Sequence, residues 1–242
     1  TPFGVPPFDK IQSEDYLPAI QKAIKVHNKE INFIVYNTED PTFKNTIEAL
    51  EKSGLLLSRV SSAFSAVSSA HTNAVLKEAR KDISPALTAH RDEIRLNEAL
   101  FKRIQTVYEQ KESLGLSAED LYILEETYKR YNRAGVNLQG ENKERLKEIN
   151  KRISQLSTQF GENLLEETND FELYIPNKEG LGDISESLMA SSAEEAKKRG
   201  HDSGWSFTLQ RPSINPFLQT SPNRENREKL FQGYALRGNN DN

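Results

Sequence analysis

The segment that most constrains the chain is the stretch 121–160, LYILEETYKRYNRAGVNLQGENKERLKEINKRISQLSTQF. Leu146, Ile149, Ile153, Leu156 and Phe160 follow one another at alternating steps of three and four. That spacing draws a single narrow apolar seam down a long helix, and a seam of this kind predicts a partner. Upstream, Leu121, Leu124, Tyr128 and Tyr131 mark a second helical face, which ends in Lys129, Arg130 and Arg133. Cations there oppose the negative end of the helix dipole. Gly135 follows, where a left-handed residue closes a helix without a Cβ clash. The stretch reads as an αα-hairpin.

The rest of the composition agrees with long helices. The 242 residues are 28% charged and 36% hydrophobic, a modest apolar share that suits amphipathic helices with wide solvated faces. The formal net charge is −4, and basic clusters are interleaved with acids, as in Glu141, Lys143, Glu144 and Arg145, so the reading expects no nucleic-acid partner. No cysteine is present, which excludes disulfides, zinc thiolates and cysteine nucleophiles. No apolar run approaches membrane-spanning length, so no membrane insertion is expected. No signal peptide is visible. Because the chain opens on Thr1 rather than Met, the natural N-terminus is expected to be missing, and the compartment, cytoplasmic or periplasmic, stays open.

In order, prolines 2, 6 and 7 give an extended lead-in, and Ser13 is read as the cap of a helix running to about Tyr36. Leu17, Ile20, Ile24, His27 and Ile31 form its stripe, and Pro18 lies near its start. A single long helix is predicted over 42–69, buried through Phe43, Ile47, Leu50, Leu57, Val60, Phe64 and Val67. Its second half is rich in Ser and Ala, which allows close helix packing or a smooth channel wall. Helices over 74–95, with a kink expected near Ser84 before Pro85, and from Asn97 to about 111 follow. Ser117 and Asp120 resemble a capping box. After Thr168, residues 171–176 and 205–209 alternate at period two and read as strands of a small two-stranded sheet. Two short helices (185–190 and 192–199), another at 214–218, and a last one over 223–236 with Pro222 at its first position complete the reading. The fold class is mainly α: long antiparallel helical hairpins with a small two-stranded β element in the last third. The expected division is a helical N-terminal domain over 1–170 and a smaller α+β segment over 171–242.

The chain contains no self-contained catalytic motif. Its four histidines are His27, His71, His90 and His201, and none lies within ten residues of another. One helix therefore cannot present the two imidazoles of His-Glu-x-x-His. Gly-x-Ser-x-Gly is absent, and Gly180-Leu181-Gly182 lacks the lysine of a phosphate loop. The adjacent carboxylates Glu125 and Glu126, or Glu166 and Glu167, point in different directions on a helix. No catalytic, cofactor-binding or metal-ligating residue is assigned.

Several blocks resemble the N-terminal part of the thimet-oligopeptidase-like zinc metallopeptidases. They are 7–11 (PFDKI), 15–20 (DYLPAI), 42–54 (TFKNTIEALEKSG), 128–138 (YKRYNRAGVNL), 156–160 (LSTQF) and, near the end, 224–231 and 237–242. The blocks occur in the family's order, and within the family the peptidyl-dipeptidase branch fits best, with the oligopeptidase A branch near. The resemblance implies a helical shell around a deep channel and a zinc-binding His-Glu-x-x-His helix in the later part of the chain. There, zinc-bound water activated by glutamate attacks the scissile carbonyl.

On this reading the chain is roughly the first third of such an enzyme, without cofactor, forming one wall of a channel that admits short peptides. Its partner is the catalytic half of the same polypeptide, zinc belongs to the parent enzyme, and the chain alone is expected to self-associate. Arg130 and Arg133 are candidates for the channel face. The competing readings are a stand-alone helical interaction module without enzymatic activity, and an inactive homologue.

Overall fold

The computed structural model describes residues 4–239. Pro2 of the lead-in and Asn240, Asp241 and Asn242 of the polar tail lie outside the described residues. The chain is mainly helical with one two-stranded antiparallel sheet, as expected. It forms two compact units, Thr1–Leu156 and Ser157–Asn242.

The first unit opens with a 3-10 turn, Ser13–Asp15, leading into α1, Tyr16–Val35. Asp15 rather than Ser13 closes this start, its carboxylate accepting the Gln12 N–H at 2.8 Å. Pro18 falls in the first turn of α1, where its missing N–H costs nothing. A π-helical turn, Phe43–Glu48, runs into the short α2, Ala49–Glu51. Then come α3, Leu55–Ala70; α4, Ala74–Arg95; α5, Glu98–Glu109; and α6, Ala118–Arg133. Asn73 and Asn97 cap α4 and α5 by accepting the amides of Leu76 and Leu100. α4 continues through Pro85. At α6, Ser117 accepts the Asp120 amide, but the Asp120 carboxylate takes the Ser117 hydroxyl instead of its backbone N–H. The cap is therefore not a reciprocal box.

The single helix expected over 42–69 is broken. Gly54 stands at φ 74, and a Cβ there would lie 2.8 Å from His27 Cε1. Periodicity alone carried the apolar stripe across this break, because Leu50 and Leu57 are two turns apart whether or not the helix is continuous. By contrast, α6 ends as the sequence predicts. Gly135 is at φ 90, its N–H reaches Asn132 O, and Val136 N–H reaches Tyr131 O. These are the two bonds of a Schellman ending, with Val136 and Tyr131 packed in the same core.

Two apolar clusters fill this unit. One joins Ile31, Ile34, Ile47, Leu100, Ile104 and Leu124 across α1, the π turn, α5 and α6. The other joins Tyr16, Ile20, Phe64, Leu76 and Ile83 across α1, α3 and α4. Arg103, 8% exposed, fastens the 37–45 loop through the carbonyls of Asn37 and Glu39 and the side chain of Asn45.

The seam of the long helix behaves differently from the expectation. α7, Glu141–Asp170, contributes its first part to this unit. It meets α4 and α5 through polar contacts: Asn150 with the Asp92 carboxylate at 3.0 Å, Thr88 with Ser154 at 3.1 Å, and Lys143 with Glu98 at 2.6 Å. Ile149, Ile153 and Leu156 remain 40%, 56% and 44% exposed. Among the described residues the seam has no partner that buries it.

In the second unit, β1, Leu173–Ile175, pairs antiparallel with β2, Trp205–Phe207, with Tyr174 opposite Ser206. Between them runs α8, Glu186–Lys198, as one helix where two were expected. The Ser191 and Ser192 hydroxyls bond back to Leu188 O, so the serines stay inside the helix instead of ending it. α9, Arg211–Thr220, and α10, Arg224–Ala235, follow. Asn223 caps α10 and Pro222 precedes the cap, so proline is outside the helix and not its first residue. Phe207, Phe217, Leu181, Leu209 and Leu230 form the core.

The Gly54 turn gives a direct test. Gly54→Ala should destabilise the chain by more than the roughly 1–2 kcal/mol that a left-handed alanine costs, because its methyl also meets the His27 ring. Gly140→Ala, at φ 54 with open space around it, should lose only the conformational part. Urea unfolding of the two variants measures the difference.

Candidate functional site

Below the Gly54 turn, α1, α4 and the end of α2 meet in one hydrogen-bonded chain. Ser53 Oγ donates to Leu50 O at 2.7 Å, which uses its only proton. His27 Nε2, 3.1 Å away, therefore donates to Ser53 Oγ, and His27 Nδ1 is left as an acceptor. His90 Nε2, 2.9 Å from His27 Nδ1, must then be the donor of that bond. Each proton position follows from the one before. The chain ends at His90 Nδ1, a buried lone pair without a partner. Nearby, Gly54 N–H donates to Glu30 Oε2 at 2.7 Å, so the i, i+3 pair of His27 and Glu30 holds both sides of the turn.

Both imidazoles are held neutral. Burial lowers the His27 pKa, against a smaller opposing pull from Glu30. Burial, then the neighbouring His27, lowers His90 to about 4. An added proton would place a charge on a ring that burial has withdrawn from water and, at His90, next to a second imidazole.

Above the pair lies a cavity of about 440 Å³, within the size range of small-molecule sites. α4 supplies one wall through Leu87, His90, Arg91, Ile94 and Arg95, which recur at helical spacing. Ser58 and Ser61 of α3 line the opposite side, so part of the Ser/Ala-rich stretch does face open space. Arg130 and Tyr131 of α6 complete it, with Glu51 at the rim. Burial raises the Tyr131 hydroxyl pKa. Burial, then Arg91 and Arg130, lowers the pKa of the Arg95 guanidinium. Arg130 approaches Glu51 at 3.6 Å. Arg95 and Arg130 also line an adjoining cavity with Tyr122, Glu126 and Arg133. Of the two arginines singled out in the sequence, Arg130 thus reaches both cavities and Arg133 the second.

The remaining clusters are structural. In the second unit, His201 and Ser206 both bond to Glu172 Oε1, and Tyr174 stacks on His201 at 3.8 Å. The carboxylate stands between serine and histidine, so the imidazole is not placed to take the serine proton, as nucleophile activation requires. Glu125 and Glu126 pair with Lys111 and Lys129 on a solvated face. Among the described residues no group of three or more potential metal ligands comes together. His27 and His90 do not fit zinc either, since their nitrogens bond to each other and Glu30 is engaged by Gly54.

No family model matches the chain. It is 37% identical over 230 residues, 95% of its length, to a dipeptidyl carboxypeptidase of Salmonella typhimurium. It is 36% identical over 241 residues, 99% of its length, to a dipeptidyl carboxypeptidase of Escherichia coli. It is related to the thimet-oligopeptidase-like peptidases. An oligopeptidase A of Haemophilus influenzae is 28% identical over 234 residues, 97% of the chain. The chain spans about a third of the length of these relatives, 34% and 35% of the two carboxypeptidases. Two of the segments that carry the family resemblance, 42–54 and 128–138, supply Leu50, Glu51, Ser53, Gly54, Arg130 and Tyr131 of the cavity wall.

The buried pair gives the chain a pH signature. In the unfolded chain His90 titrates near 6.5, in the folded chain near 4. Protons therefore favour unfolding between those values: the stabilisation is complete above about pH 6.5 and is lost as pH falls toward 4. Stability should drop by on the order of 1 kcal/mol between pH 7.5 and 5.5 from His90 alone. His90→Leu should flatten that part of the profile in urea titrations at the two pH values.

Proposed function

We propose that this chain is the non-catalytic N-terminal domain of a zinc-dependent peptidyl-dipeptidase that releases C-terminal dipeptides from short peptides. In this reading the domain forms one wall of the substrate channel. The observation that carries it is the match, over nearly the whole chain, to proteins named dipeptidyl carboxypeptidase, at 36–37% identity against 28% for the Haemophilus oligopeptidase A. The difference in identity favours dipeptide release over internal cleavage.

The residues present agree with a wall and not a reaction centre. The His27–His90 pair is locked in its own hydrogen bonds, and the second unit holds its only imidazole, His201, against Glu172. Zinc and the groups that activate water belong, on this proposal, to the remaining two-thirds of a longer polypeptide. That remainder is also the partner proposed to cover the exposed seam of α7.

Zinc added to this chain with a blocked oligopeptide should give no cleavage in a chromatographic assay. Turnover that persists after replacement of all four histidines would defeat the proposal from one side. A stop codon immediately after Asn242 would defeat it from the other, in favour of a stand-alone module; a His-Glu-x-x-His run downstream is the expected reading.

The seam makes a second prediction. The chain alone should self-associate, and Ile153→Glu together with Leu156→Glu should shift it to monomer in sedimentation velocity. A wild-type chain that stays monomeric at high concentration would remove the case for a covered seam.

A further inference from the structure

We propose that the cavity walled by α3, α4 and α6 is a binding site for a small organic carboxylate, held by the guanidiniums of Arg95 and Arg130. Arg95 is half-buried and, among the described residues, its guanidinium makes no hydrogen bond or ion pair. Its charge is opposed by its neighbours Arg91 and Arg130 and favoured by Asp92. Asp92 is in turn occupied by Asn150. Three guanidiniums therefore converge on one cavity where, among the described residues, the only lining carboxylate is Glu51. Arg95 is half-buried while Arg91 and Arg130 are exposed, and guanidiniums that share a cavity with a single carboxylate gain from an anion that fits between them.

The cavity also decides what kind of anion. Its remaining walls include Leu57, Leu87 and Ile94, which match a hydrocarbon group beside the charge. Gly54 N–H, a backbone donor of the kind that cradles phosphate, is already taken by Glu30. Glu51 shows the geometry in miniature, since its carboxylate lies 3.6 Å from Arg130. The floor is the hydrogen-bonded His27–His90 pair, whose rings burial keeps neutral, so the positive charge facing the cavity comes from the arginines. The proposal stands on the cavity alone and does not depend on the peptidase reading.

Calorimetric titration of this chain with N-acetyl-leucine, its amide and inorganic phosphate tests the site. The acid should bind, with the amide and phosphate each at least about tenfold weaker, because a charged hydrogen bond is lost in one case and the apolar contact in the other. Arg95→Gln and Arg130→Gln should each weaken the acid at least about tenfold, whereas Arg145→Gln, on the solvated face of α7, should not. Amide-proton shifts on adding the acid should cluster at Ser53, Gly54, Arg95 and Arg130. Those shifts decide the matter if an arginine variant fails to fold. Equal binding of acid and amide, equal binding of phosphate, no binding of the acid, full affinity in both arginine variants, or shifts confined elsewhere would each overturn the site.

Discussion

The contact between the His27 ring and the Gly54 turn is the constraint on which much of the first unit depends. A glycine is required there twice over, by its positive φ and by a ring lying 2.8 Å from where a Cβ would stand. Once the turn is made, α2 and α3 diverge, Ser53 reaches the histidine, and Glu30 takes the turn's amide. The second histidine then docks from α4, 63 residues away in sequence. A hydrogen bond between two neutral imidazoles is modest in itself. Its weight comes from the alternative, a buried polar atom with no partner, which costs more than the bond contributes. The atom of this hydrogen-bonded chain that does lack a partner, His90 Nδ1, still carries that cost.

The same α4 stripe that carries His90 also carries Arg91 and Arg95, and this explains why charge gathers over the histidines. A helix places residues one turn apart on one side, so an imidazole floor and a guanidinium rim come from a single periodicity. The ion pairs on the outer faces, such as Lys81 with Glu78 or Arg145 with Glu148, are exposed and screened and contribute little to stability. The cavity arginines differ because they are crowded with like charges and short of acids. Among the described residues three guanidiniums line a cavity whose one lining carboxylate is Glu51, which sets them apart from the balanced charges elsewhere on the helices.

Much of the fold was legible because its signals are local. Asn97 and Ser117 are caps by their chemistry, Gly135 ends α6 by its lack of a Cβ, and two alternating segments separated by helical text pair as a sheet. The misreadings came where a local rule met a tertiary contact. Leu50 and Leu57 keep phase across the Gly54 break, so periodicity hid it. Ser191 and Ser192 look like a helix stop until their hydroxyls fold back on Leu188. The site was less legible than the fold. Spacing arguments concern two histidines on one helix and say nothing about two histidines brought together by different helices. Arg130 was visible as a helix-end cation; its approach to Arg95 was not, because nothing local links residues on α4 and α6.

The seam of α7 shows the opposite relation, a strong local signal without its tertiary answer. Lys143, Asn150 and Ser154 recur at helical spacing and fasten the helix to α4 and α5. The apolar residues run beside that polar stripe, rotated around the helix from it. Packing the seam against the same neighbours would bury Ile149 and Ile153 but pull Asn150 away from Asp92, a buried carboxylate that would then lose its partner. The cost of stranding that charge exceeds the roughly 1 kcal/mol that covering each half-exposed aliphatic side chain would return. The helix therefore settles on its polar side, and the seam is left as a surface that gains from being covered.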